Sequence, residues 1–265
     1  MKRIAILSLL ILFLYPASGQ TRDTSLVRRV IKHGLNDSKE FLISPTKWDS
    51  KDWVMVGGVT AATGALIAWG DQSIYDFANT QHTPARDVFF KCVQPMGNTY
   101  LYATLSAFAL TGLITKNNYT FETGLIAAES YIMTGITCQF TKTTAGRSRP
   151  NDYNTTNSHQ WAGPFFKGNS FFSGHSSSAF SIASVIAYRY KETVWVPVLS
   201  YSLATLCGIQ RIYDNRHWAS DVVMGAAVGT ATGIFLCKQW ENNSIKFFPT
   251  FSTHGGRISM IIPIK

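Results

Sequence analysis

Two histidines, three cations and a short glycine turn stand out, because their types and spacing suit a phosphoryl group. Lys142 is followed after six residues by Arg149-Pro150; Ser173-Gly174-His175 comes next; then Arg211 leads after five residues to His217 and after three more to Asp221. Arginine binds phosphate oxygens through paired N–H donors, whereas a lysine ammonium acts as a point charge. Backbone N–H groups at Ser173, Gly174 and His175, opening a helix, can take a further oxygen, and Gly174 lets the backbone come close. His217 and Asp221 share a face if both are helical. Asp221 then holds one ring nitrogen through its proton and leaves the other free to attack phosphorus. His175, from the opposite side, is suited to protonate the leaving oxygen and later to activate water. Charge developing on the equatorial oxygens falls on Lys142, Arg149 and Arg211. The catalytic set is thus His217, His175 and Asp221, and the phosphate-binding set is Lys142, Arg149, Arg211, Ser173 and Gly174. Such chemistry requires no metal and no cofactor, and no carboxylate cluster in the sequence suggests one.

Each residue alone has a blander reading. Either histidine can be structural, Lys142 and Arg149 can be helix-end charges, and Asp221 can be a helix cap. Only their joint order and spacing favours chemistry. His33, His82, His159 and His254 have no such company and read as surface residues. Arg147 lies inside the first cluster at no motif position and reads as a possible indirect contact.

The clusters need helices to hold them. Six apolar segments run roughly over 53–70, 100–115, 123–140, 176–188, 194–208 and 222–237, and each cluster stands where one of them ends or begins. Asp49 and Ser50 supply capping chemistry before the first, and Asn117 and Asn118 break the chain before the third. Small residues such as Gly57 and Gly58 permit close helix contact. The expected fold is therefore all-α, a six-helix bundle embedded in a membrane, with a short extended C-terminal tail. Hydrophobic residues make up 46% of the 265 and charged residues 15%, a shortage of charge that fits lipid contact or an unusually buried bundle. The mean hydropathy of +0.04 keeps the second option open.

Residues 1–19 read as an export signal: Lys2 and Arg3, an apolar run from Ile4 to Tyr15, then Pro16 and small residues. Residues 20–52 form an amphipathic segment, with Val27, Val30, Ile31 and Leu35 opposite Arg28, Arg29 and Lys32. Residues 53–240 form the helical domain. A second amphipathic piece surrounds Arg86–Val93, and the tail over 241–265 has strand composition at 257–262. Cys92, Cys138, Cys207 and Cys237 are too dispersed for a zinc site or a disulfide scaffold and read as buried packing residues. The net charge of +9 suits a phosphorylated or membrane partner; the basic residues are scattered, and no nucleic-acid module is evident.

The three clusters resemble the signature of the type-2 phosphatidic acid phosphatase and haloperoxidase superfamily: K-x6-RP, then PSGH, then SR-x5-H-x3-D. Two positions depart from it, Phe172 standing for the proline and Gln210 for the serine. Neither removes a charged or nucleophilic group. The resemblance implies a phosphatase in a bacterial cell envelope, acting on an isoprenoid, glycerophospholipid or lipid A phosphate through a phosphohistidine on His217. Its site is then expected to face the periplasm. A soluble periplasmic acid phosphatase and a non-catalytic phospholipid-binding protein are the competing readings. Topology adds a conflict: if the signal delivers Gln20 outside and all six segments span, the cluster-bearing loops fall on the cytoplasmic side.

Overall fold

The computed structural model describes residues 24–152, 157–165, 168–243, 246–252 and 255–261. The expected export signal lies outside these residues. Among them are eight helices: α1 (Thr24–Ile43), α2 (Ser50–Thr80), α3 (Pro84–Val93), α4 (Thr99–Ile114), α5 (Asn118–Ala145), α6 (Gly174–Arg189), α7 (Trp195–Tyr213) and α8 (Ala219–Asn243). Every one of the six apolar segments is helical. The count exceeds six because the two amphipathic stretches, α1 and α3, are helices as well. The tail forms a hairpin of β1 (Lys246–Ser252) and β2 (Gly255–Ile261), paired antiparallel from Lys246↔Ile261 to Ser252↔Gly255.

Local chemistry sets the helix ends. Asp49 accepts from the Lys51 and Asp52 amides while Asp52 accepts from the Asp49 amide, a reciprocal capping box that starts α2. The Asn117 side chain accepts from the Thr120 N–H and starts α5. At the other end of α5, Gly146 takes φ +60° and returns its N–H to the Lys142 carbonyl at 3.2 Å. Inside α2, residues Leu66–Gly70 make a π-helical turn, after which the helix resumes at Asp71.

Helices α6 and α8 form the tightest pair. A methyl group added at Gly225, Gly229 or Gly233 would meet the carbonyls of Ser173, Ser177 or Ser181 at 2.7, 2.2 or 2.6 Å. Glycine at every fourth position thus lets the two backbones touch. The interior is correspondingly rich in small polar groups: Ser130, Thr134, Ser176, Ser177, Ser181, Ser184 and Thr232 are all buried. The outer faces carry the opposite chemistry, with Trp53, Val54, Met55 and Trp69 exposed on α2, Ile132, Ile136 and Phe140 on α5, and Trp195, Val198 and Leu199 on α7. These hydroxyls share the interior with an apolar core that includes Leu101, Leu105, Phe121, Ile126 and Leu236, so apolar side chains lie both inside and outside, which suits a lipid-facing surface better than a water-soluble one. Two helices, Ser50–Thr80 and Ala219–Asn242, are long and apolar enough to cross a membrane.

Candidate active site

Chain direction brings the clusters to one end of the bundle. Helix α5 delivers Lys142 as it ends, α6 begins at Ser173-Gly174-His175, α7 delivers Arg211 as it ends, and α8 begins just after His217. The five proposed phosphate-handling side chains are close enough that Arg211, His217, Lys142 and Arg149 all act electrostatically on the His175 ring.

His217 does not lie on a helix. It sits in the turn before α8, its N–H donating to the Arg211 carbonyl at 3.3 Å, and its Nδ1 stands 3.6 Å from Asp221 Oδ2. The pairing expected from four-residue spacing is present, but a turn makes it rather than a shared helical face. Asp221 does two jobs. Its Oδ2 accepts from the Trp218 N–H at 3.0 Å, which caps α8, and from the Ser170 hydroxyl, which also approaches His217 Nδ1 at 3.5 Å. Asp221 is thus a helix cap, as one reading of the sequence has it, and the same carboxylate lies beside the His217 ring.

Burial holds the His217 ring well below the ordinary histidine range, at about 4; Asp221 opposes this, and Lys142 and Arg149 add to it. Burial likewise brings His175 down to about 3, with Arg211, His217, Lys142 and Arg149 contributing. Both rings are thereby held in the neutral form near pH 7.

Arg211 is buried, Lys142 and Arg149 are half-buried, and their donors are only partly used. Burial lowers the pKa of Lys142, Arg149 and Arg211. The Lys142 ammonium donates to the Asn169 carbonyl at 2.6 Å. Arg149 Nε and Arg211 Nη2 are buried with no hydrogen-bond partner among the described residues. A buried guanidinium N–H without a partner is costly, so such donors imply an acceptor that arrives later.

Both departures from the motif acquire a role. Gln210 is buried and accepts from Arg211 Nε through its Oε1, while its amide nitrogen donates to Asp214; it fixes the plane of the Arg211 guanidinium. Phe172 is buried and its carbonyl accepts from the Cys138 thiol at 3.4 Å. The turn that a proline would fix is held here by packing and by the Ser173 N–H donating to the Asp221 carbonyl at 2.9 Å. That bond occupies the Ser173 amide, and the Ser173 hydroxyl caps α6 by accepting from the Ser176 N–H. The amides of Gly174 and His175 are the ones left for an anion at the helix start.

The surroundings hold groups that the motif spacing did not indicate. Arg147 is completely buried and joins Asp221, Ser220, Asp71 and the Ser158 carbonyl. Asp71 comes from α2, far off in sequence. Gly97 lies against His175: an added methyl there would meet ring carbon Cδ2 at 2.1 Å. Of the other histidines, His82 pairs with Asp87 at 2.8 Å on the exposed α3 side and His159 is exposed; His254 lies outside the described residues.

Comparison with known proteins agrees with this geometry. Residues 123–245 match the family model of the PAP2 superfamily. The chain is 47% identical over 66 residues to a lipid A 1-phosphatase of Porphyromonas gingivalis, covering 24% of this chain and 15% of that protein. It is 37% identical over 68 residues to the bacitracin transport permease protein BcrC of Bacillus licheniformis, covering 26% and 32%. The matches thus span less than a third of either relative's length. The crystal structure of a transmembrane PAP2-type phosphatidylglycerolphosphate phosphatase from Bacillus subtilis superposes with a TM-score of 0.54 at 18% identity, covering 73% of this chain and 98% of that one, so the two share a fold. All of the motif residues gathered at this end of the bundle, from Lys142 to Asp221, fall within the segment 123–245 that matches the PAP2 superfamily model.

Proposed function

We propose that this protein hydrolyses a phosphate or pyrophosphate ester of a lipid through a phosphohistidine on His217. The observation that carries the reading is the pair of buried donors, Arg149 Nε and Arg211 Nη2, that have no partner among the described residues and lie beside two neutral imidazoles. A tetrahedral dianion supplies the acceptors those donors lack. The bound dianion offsets the surrounding cations, so His175 takes up a proton from solvent; His217, held through Nδ1 by Asp221, attacks phosphorus with Nε2, the P–O bond to the leaving group breaks, and that oxygen takes the proton from His175. Water then attacks the phosphohistidine, giving its proton to His175, and His217 is released with orthophosphate. Lys142, Arg149, Arg211 and the Gly174 and His175 amides hold the equatorial oxygens throughout. The reaction routes no step through a metal, and chelation with EDTA is expected to leave the rate unchanged.

A lipid substrate is favoured by what adjoins the site. An apolar groove of about 160 Å³ lies between α4, α6 and α7, lined by Met96, Tyr100, Ala179, Ile182, Ala183 and Leu203. Its α6 wall, Ala179 and Ile182-Ala183, continues the face on which His175 lies, so a chain attached to a phosphate at His175 has a dry path along the helix. The apolar exterior favours a location in the cell-envelope membrane, and the similarity to a lipid A 1-phosphatase makes lipid A a substrate class to test first. The test is His217→Ala. Hydrolysis should disappear, together with any acid-labile, alkali-stable phosphoenzyme trapped from radiolabelled substrate. Turnover near the wild-type rate would eliminate His217 as the nucleophile.

A further inference from the structure

Helix α2 presents an anomaly. Its outer faces are apolar and exposed, yet Asp71 on the same helix is 1% exposed and lies directly after a π-helical turn. A carboxylate on a lipid-facing helix is expensive unless it is used, and π-turns commonly occur where a side chain must be re-aimed. Asp71 accepts from Arg147 Nη2 at 2.7 Å, from the Ser220 N–H at 2.8 Å and from the Ser220 hydroxyl. Arg147 places its other terminal nitrogen 2.6 Å from Asp221 Oδ1. The series therefore runs Asp71, Arg147, Asp221, His217, and every member is buried.

Resting on the phosphohistidine reading above, we infer that Asp71 and Arg147 are positioning residues that set the charge felt by His217. Arg147 alone beside Asp221 would cancel its carboxylate. With Asp71 sharing that cation, the trio of two carboxylates and one guanidinium keeps one net negative charge. That charge faces the ring that must become cationic as it binds phosphorus. Other charged or titratable groups bearing on His217 are Lys142 from α5, Arg149 from the following loop and His175 from α6. All are cationic or neutral, so the trio is the only negative source among the described neighbours. The hydrogen bonds also fix geometry: Arg147 orients Oδ1, which leaves Oδ2 toward Ser170 and His217.

Charge arithmetic gives a test with alternating sign. Asp71→Asn neutralises the trio, Arg147→Gln makes it doubly negative, and the double variant restores a single negative charge. In full-length protein, the acidic limb of the kcat/KM profile, where His217 takes up a proton, should move down by about half to one pH unit in Asp71→Asn. It should move up by a similar amount in Arg147→Gln and return in the double variant. In Asp71→Asn, kcat should fall about 10- to 100-fold while KM stays within about twofold, since the lost interaction acts on the charged transition state. Glutamate at position 71 should recover part of kcat. An unmoved limb, or parallel losses in kcat and KM, would show a scaffold role only and overturn the inference. Should Arg147→Gln not fold, the Asp71→Asn limb decides alone. An inactive His217→Ala beside an unmoved Asp71→Asn limb would reject this inference and leave the phosphatase reading standing.

Discussion

Gly97→Ala is the sharpest probe of His175. A built methyl at this position falls 2.1 Å from ring carbon Cδ2 and 2.6 Å from both Cβ and Cγ. Reaching the 3.4 Å of ordinary contact from 2.1 Å moves the ring by about 1.3 Å, and because Cβ is involved, rotation about the side chain cannot relieve it. A displacement near 1 Å of a catalytic group costs about 100-fold in rate, or about 2.7 kcal/mol of barrier. The loss should depend on the leaving group. An alkyl phosphate needs the proton that His175 provides, so its kcat should fall by that full amount. A nitrophenyl phosphate leaves without protonation, so the first step survives while water activation on the phosphohistidine does not. Stopped-flow measurement should then show a burst of nitrophenol near one equivalent per site, followed by a slow steady state. Equal losses for both substrates with no burst, in a variant of unchanged melting temperature, would refute His175 as the proton carrier.

With His217 held at about 4 by burial, the nucleophile stays unprotonated down to that pH, and the acidic limb of kcat/KM should lie near 4; a limb near 6.5 would contradict it. The same depression affects stability: the unfolded chain takes up the proton first, so this contribution is complete above about 6.5 and fades as pH falls toward 4, measurable as a decline in thermal midpoint. Ala183→Phe fills the groove between α4, α6 and α7 and should raise KM for long-chain lipid phosphates at least tenfold, with hydrolysis of a soluble aryl phosphate little changed; equal effects on both would disconnect the groove from substrate.

The gathering of Lys142, Arg149, His175, Arg211 and His217 at one end of the bundle was legible in sequence because helix ends fix their places locally. Lys142 and Arg149 flank one helix terminus, His175 opens the next helix, and Arg211 with His217 spans one turn, so spacing alone carried the information. The His217–Asp221 pairing was also legible, though its cause was misread: Asp221 is the third residue of α8, and reaching back to cap Trp218 brings it under the ring. Asp71 and Ser220 were invisible, because a contact between α2 and α8 leaves no spacing constraint. Arg147 could be seen as an extra cation but not assigned partners. Gly97 carries no signal at all, since a glycine before an asparagine turn reads as a loop. The helix count was short by two because α1 and α3 lack the apolar runs that marked the others.

Keeping Arg149 Nε and Arg211 Nη2 dry and unspent governs how the reaction ends as well as how it starts. Confined cations repel one another, and any small tetrahedral dianion relieves that repulsion whether or not a lipid is attached. If the proposed function holds, orthophosphate is expected to compete with substrate and to raise the melting temperature by an amount that grows with the logarithm of its concentration. On the proposed reading, accumulated phosphate slows turnover without reversing it, and the rate rises as the surrounding compartment dilutes that phosphate.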